Sequence, residues 1–201
     1  MPKGRSQKGF TLIELVTTMA IAGILLGVGI PSFLTAVQNN RLSADYRELA
    51  SAMNFARSEA IKRGKNVWVC ARRNDNRCAT GRNRWSNGWL VFVQPDTSFS
   101  YNGTRTDDEL LRVVDERGED SHIVLRSHNF NRRWYLKRSY IYYSPSGESN
   151  WQGATAEFCD SRGKEHAKAL NVNITGSIRK AHPNGNDTVP IDFRGRPITC
   201  A

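Results

Sequence analysis

From Phe10 to Gln38 the chain is apolar with few interruptions, and between Glu14 and Arg41 it carries no charge. At 1.5 Å per residue that run makes a helix of roughly 35–40 Å, enough to cross a hydrocarbon core of about 30 Å. Beyond it the apolar positions thin to a stripe. Leu42, Tyr46, Leu49, Met53, Ala56 and Ala60 recur every three or four residues, the period of a helix with one face buried. Arg41, Asp45, Arg47, Glu48, Arg57, Glu59 and Lys62 fall between them and are assigned to the solvated side. Gly64 suits a C-cap. The spacing predicts one helix from Phe10 to about Arg63, membrane-spanning over 10–38 and laid along a globular domain thereafter. Pro31 is expected to kink it, and Gly23-x-x-x-Gly27 allows close helix approach.

After Gly64 the period shortens to that of strands and turns. Strands are predicted over 66–71, 90–93, 110–114, 123–125 and 140–143, with Ser144-Pro145-Ser146-Gly147 as a turn. A strand pair is expected around 158–163 and 170–174, and a final strand over 189–193. One long helix followed by many short strands argues an α+β fold, an antiparallel sheet packed on the second half of the helix. The expected organisation is a leader over 1–9, the helix over 10–63 and a β-rich domain over 64–201.

Charge fixes the orientation. Of a net +10, three charges (Lys3, Arg5, Lys8) lie ahead of the apolar run, which puts the N-terminus on the cytoplasmic side and the domain in the periplasm. Cys70, Cys78, Cys159 and Cys200 suit that oxidising compartment and allow two disulfides, with three pairings open. A secretory signal would have its small-residue cleavage site after a shorter apolar core; here Gly9 precedes the run. Glu14, at the edge of a membrane span, is costly without a partner.

Other chemistry finds little support. Cys70 and Cys78 are too far apart for a zinc knuckle, and no histidine pair lies nearby. His122, His128, His166 and His182 are scattered and no nucleophile elbow occurs, so an anchored enzyme is not expected. Asp107, Asp108 and Glu109 lack the spaced ligands of a calcium loop. No cofactor and no metal is predicted.

The segment Lys8-Gly9-Phe10-Thr11-Leu12-Ile13-Glu14-Leu15 resembles the type IV prepilin signature. That resemblance implies cleavage by a prepilin peptidase between Gly9 and Phe10, N-methylation of Phe10, and pairing of Glu14 with the N-terminal amine of a neighbouring subunit. Phe55-Ala56-Arg57-Ser58-Glu59-Ala60, Trp85-Ser86-Asn87-Gly88-Trp89, Cys159-Asp160-Ser161-Arg162-Gly163 and residues 172–179 are similar to the FimT/FimU and GspH branch of minor pilins and pseudopilins. The resemblance implies a structural subunit of a type IV pilus or type II secretion pseudopilus, in its tip or initiation complex. Its partners would be other minor pilins, the major pilin and inner-membrane lipid. It also implies the bridges Cys70–Cys78 and Cys159–Cys200.

Arginines supply a second reading. Arg72, Arg73, Arg77, Arg82 and Arg84 crowd one loop beside Trp85, and Arg132, Arg133, Lys137 and Arg138 flank Trp134 and Tyr135. Guanidinium groups bind phosphate bidentately while rings stack on bases. DNA-binding members of the resembled family share a Gly-Arg-x-Arg motif near the C-terminus. Here Gly176-Ser177-Ile178-Arg179-Lys180 departs from it by a serine, Gly81-Arg82-Asn83-Arg84 matches it elsewhere in the chain, and Arg194-Gly195-Arg196 is a third variant. Arg82, Arg84, Arg179, Lys180, Arg194 and Arg196 are thus candidate DNA contacts, with DNA uptake as the alternative function.

Overall fold

The computed structural model describes residues 9–73, 77–79, 85–94, 109–118, 120–129, 132–149 and 153–200, without side chains for 128, 129 and 132–137. Helix α1 runs Leu12–Arg63, with Pro31 inside it. Thr11 caps it, its hydroxyl accepting the Glu14 N–H at 3.3 Å, a standard satisfaction of a first-turn donor. The chain divides after Asn40 into two units.

In the first unit the helix is apolar all round, and by length and composition it is long enough to cross a membrane. Its few hydroxyls turn inward. Thr17, Thr18 and Thr35 donate to the carbonyls of Glu14, Leu15 and Pro31 at 3.0, 2.9 and 3.0 Å. This leaves no hydroxyl proton of these three unsatisfied in an apolar medium.

In the second unit the expected stripe is the buried one. Leu42, Leu49, Ala52, Met53, Ala56 and Ala60 are within 2% of full burial, and Tyr46 packs partly buried against them. Gly64, at φ 63°, ends the helix in the left-handed region. Two residues placed on the solvated side behave otherwise. Asp45 is buried, and Arg57 reaches from the helix to the carbonyls of Gly147 (2.9 Å) and Thr175 (3.1 Å).

The strands form two five-stranded sheets rather than one. The first holds β1 (Val67–Arg73), β2 (Arg77–Cys78), β3 (Trp89–Val93), β4 (Glu109–Val114) and β7 (Tyr140–Tyr143), ordered β2-β1-β3-β4 with β7 also paired to β1. The second runs β10 (Ile178–Lys180), β9 (Lys168–Val172), β8 (Ala154–Cys159), β5 (His122–Asn129) and β6 (Arg132–Lys137). All these pairings are antiparallel.

Alternation then assigns the faces. Val67, Val69, Val91, Val93, Ile141 and Tyr143 of the first sheet join Ile123, Leu125, Ala156, Phe158, Leu170 and Val172 of the second in one core with α1. The opposite face of the first sheet is buried too, by Trp68, Cys70, Leu90, Phe92 and Tyr140; burial on both faces explains why β1 and β3 read as near-continuous apolar runs.

The disulfides are Cys70–Cys78, eight residues apart, and Cys159–Cys200, forty-one apart. The first clips β2 to β1. The second fastens the C-terminal segment behind the second sheet, where Ile198 packs with Ala167, Ala169 and Ala181. No strand forms over 189–193; only the isolated bridges Pro183↔Pro190 and Ile191↔Pro197 occur there. Pro190 and Pro197 have no N–H to give a ladder.

Candidate functional site

Two places carry the candidate residues. At the N-terminus, Gly9 and Phe10 precede the helix and are exposed, and Glu14 lies in its first turn. The favourable end of the helix dipole and the Thr11 cap make that position tolerable for an acid. Its carboxylate pairs with no other side chain among the described residues.

The second place is a groove of about 440 Å³ in the globular unit, lined among others by Asn171, Ser177, Arg179, His182, Asp192 and Phe193. One wall is the β9–β10 hairpin. Asn173 builds its turn, its side-chain oxygen accepting from the Ser177 N–H (2.9 Å) and the Thr175 hydroxyl (2.7 Å). The register Arg179↔Asn171 then sets Arg179 on the face turned away from α1, since Val172 and Leu170 face the core. The other wall is the C-terminal loop. Asp192 Oδ1 accepts the N–H groups of Arg194 (2.8 Å) and Arg196 (2.9 Å), and Asn171 Nδ2 donates to the Ile191 carbonyl at 3.2 Å. The Arg194 guanidinium lies 5.9 Å from the Phe193 ring centre, within cation–π range.

Below that loop sits a buried carboxylate. Glu157 pairs with Arg126 at 2.8 Å and accepts the Cys200 N–H at 3.2 Å. Burial pushes its carboxyl above the usual glutamate range, while Arg126 and the Cys200 and Thr199 N–H groups pull it back. This clamp holds the tail, and hence the groove wall, in place.

The structure therefore brings Arg179 to the groove and sets Arg194 and Arg196 on the loop that forms its other wall. Lys180 borders the groove through its strand, but its register partner Leu170 puts its side chain on the opposite face. Arg82 and Arg84 lie outside the described residues, as do Asp107 and Asp108. The aromatic partner assigned to the basic loop is not available for stacking: Trp85 is fully buried and donates to the Arg138 carbonyl at 2.8 Å, and Arg72 is bonded to Asp115. The side chains of Trp134 and Tyr135 lie outside those described.

Sequence reading missed a polar network beside Trp89. Arg117 lies 5.0 Å over that ring and bridges Glu48 (2.5 Å) and Asp45 (3.4 Å), while the Ser121 hydroxyl donates to Asp45 at 2.6 Å. The signal was an acid at a helix position one turn before Leu49, on the buried side.

A long helix, apolar in its first half and buried along one stripe in its second, carrying antiparallel sheets, defines a type IV pilin-like protein. The profile of the type II transport protein GspH matches residues 45–176, and the prokaryotic N-terminal methylation motif matches residues 4–30; the chain belongs to the GspH family. It is 35% identical over 77 residues to a fimbrial protein of Pseudomonas aeruginosa, 38% of this chain and 49% of that one. It is 40% identical over 99 residues to the pilin-like protein PilA1 of Thermus thermophilus, 48% of this chain and 54% of that one. The chain thus spans about half the length of these relatives. The crystal structure of the type IV minor pilin FimU of Pseudomonas aeruginosa superposes with a TM-score of 0.50 at 17% identity, over 72% of this chain and 91% of that one, a likeness of fold.

Proposed function

We propose that the chain is a minor subunit of a type IV pilus or type II secretion pseudopilus, built into its tip or initiation complex, and that it has no catalytic activity of its own. A prepilin peptidase cuts between Gly9 and Phe10, Phe10 is N-methylated, and residues 10–38 anchor the subunit in the inner membrane with the globular unit on the periplasmic side. The observation that carries this reading is Glu14: a carboxylate in an otherwise apolar helix surface, with no side-chain partner among the described residues. When helices pack in a filament, that charge needs a buried counter-charge, which the amine of a neighbouring Phe10 provides.

Removing one partner of a buried pair costs about 3–5 kcal/mol. Glu14→Ala is therefore expected to leave leader cleavage intact and to lower the amount of the subunit in sheared filaments by at least about a hundredfold. Mass spectrometry of the mature N-terminus and immunoblots of sheared fibres check the two halves separately. Normal recovery in filaments rejects the role.

The groove supports DNA uptake as a second reading, because Arg179 lines it and Arg194 stands on the loop that walls it, neither with a carboxylate partner among the described residues. Binding of DNA by the full chain in neutral detergent is expected to fall steeply with salt, as phosphate contacts release counterions. Arg179→Ala/Arg194→Ala should lower the affinity by about tenfold or more and flatten the salt slope by nearly two, one per lost phosphate contact. Arg82→Ala/Arg84→Ala tests the other motif. No binding at low salt rejects DNA and leaves the structural role alone.

A further inference from the structure

On the opposite side of the second sheet from the groove, α1 carries a second basic cluster. Lys168 lies on the same face of β9 as Leu170 and Val172, and its ammonium bonds the Ser43 hydroxyl of α1. Lys180 pairs in register with Leu170, which sets its side chain toward α1 on the face opposite Arg179. Arg47 follows Ser43 by four residues and so shares its helix face. Both Arg47 and Lys180 are exposed.

Among the described residues no carboxylate pairs with Arg47, Lys168 or Lys180. Of the acids on the same or adjoining elements, Asp45 is committed to Arg117 and Ser121, Glu157 to Arg126, and Asp160 to Arg162; Glu165, three residues before Lys168, is exposed and forms no ion pair with it. Lys168 is held below the usual lysine range, first by burial and then by the charges of Lys180 and Arg47. Like charges gathered on three elements, with a hydroxyl among them, form an all-donor site for an anion with several acceptor oxygens.

We propose that Lys168, Lys180, Arg47 and Ser43 form a binding site for the headgroup phosphate of an anionic phospholipid. Chain connectivity favours lipid over a soluble anion. Ser43 follows Gln38, the end of the apolar run, by five residues, and five residues reach at most about 18 Å. The cluster is thereby confined near the headgroups, where basic residues next to a span attract anionic lipid. This inference rests on residues 10–38 spanning the bilayer; stable insertion of the full chain into nanodiscs, scored by flotation at high pH, tests that premise alone.

The test of the site is native mass spectrometry of the full chain in neutral detergent, offered phosphatidylglycerol or phosphatidylcholine of the same acyl composition. The wild type is expected to retain phosphatidylglycerol by about tenfold over phosphatidylcholine. Lys168→Gln/Lys180→Gln should bring that ratio near one, while Lys168→Arg/Lys180→Arg, which keeps the charges, should preserve it. Lys62→Gln/Lys65→Gln, which removes equal charge at the far end of the helix, should also preserve it.

The proposal is overturned if preference survives in the first pair, or falls equally in the far-end control. Displacement of the lipid by millimolar inorganic phosphate would assign the cluster to a soluble anion. Lost cross-linking to neighbouring subunits with lipid retention unchanged would assign it to an acidic protein surface; either result also overturns the lipid site.

Discussion

Gly176→Ala is expected to destabilise the globular unit by about 3–5 kcal/mol, at the far end of what single substitutions do. Gly176 sits at φ 75°, and a Cβ there would lie 2.0 Å from the Gly147 carbonyl oxygen and 3.1 Å from Arg57 Nε. Neither neighbour can yield cheaply. Gly147 is itself at φ 78° in the 144–147 turn, closed by its N–H to the Ser144 carbonyl at 2.8 Å. Arg57 spends its guanidinium on both turns, so displacing one releases a buried-side anchor of the helix. Gly195 supplies the control. It has φ 77° with nothing within 4 Å, so alanine there bears only the left-handed conformation, about 1–2 kcal/mol. Urea unfolding of the full chain in detergent, followed by near-UV circular dichroism, compares the two. If Gly176→Ala is no worse than Gly195→Ala, the junction of Arg57 with the two turns does not hold the domain together.

That junction also marks where sequence reading stopped. Helical period alone located the buried stripe from Leu42 to Ala60, because a packed helix face must repeat every three or four residues whatever it packs on. The apolar runs at 66–71, 90–93 and 140–143 were legible for a similar reason: β1, β3 and β7 are buried on both faces. The 123–125 run showed only the centre of β5, which extends from His122 to Asn129 through polar residues. β6 and β10 were not anticipated, since Arg132–Lys137 and Ile178–Lys180 have composition closer to loops and are held as strands by their neighbours' ladders.

Asp45 and Arg57 failed the pattern in the opposite sense. Both are charged, yet each is taken inward by a partner more than 70 residues away, Arg117 for the first and the Gly147 and Thr175 carbonyls for the second. Periodicity cannot anticipate a long-range hydrogen bond. The candidate residues divide along the same line: Gly9, Phe10 and Glu14 fall within six residues and are readable, whereas placing Arg179 on one groove wall and Arg194 and Arg196 on the loop of the other needs the β9–β10 register and the folded tail.

The tail is where the two disulfides should part company. In the chain-entropy account a bridge stabilises by restricting the unfolded chain, more for a longer loop. With separations of 41 and 8 residues, Cys159→Ala/Cys200→Ala is expected to cost about 4 kcal/mol and Cys70→Ala/Cys78→Ala about 2.5 kcal/mol. The consequences differ in kind as well as size. Losing Cys159–Cys200 frees the segment that carries Ile198 into its apolar cluster and gives Glu157 the Cys200 N–H, and the groove wall formed by Asp192 and Phe193 belongs to the same segment. Opening that bridge should therefore lower anion binding in the groove along with stability, while opening Cys70–Cys78 should leave groove binding as it was. Urea midpoints and binding titrations on the same two double variants decide the matter. Equal losses of binding would mean that Arg179 acts without the tail, and that the hairpin alone constitutes the site.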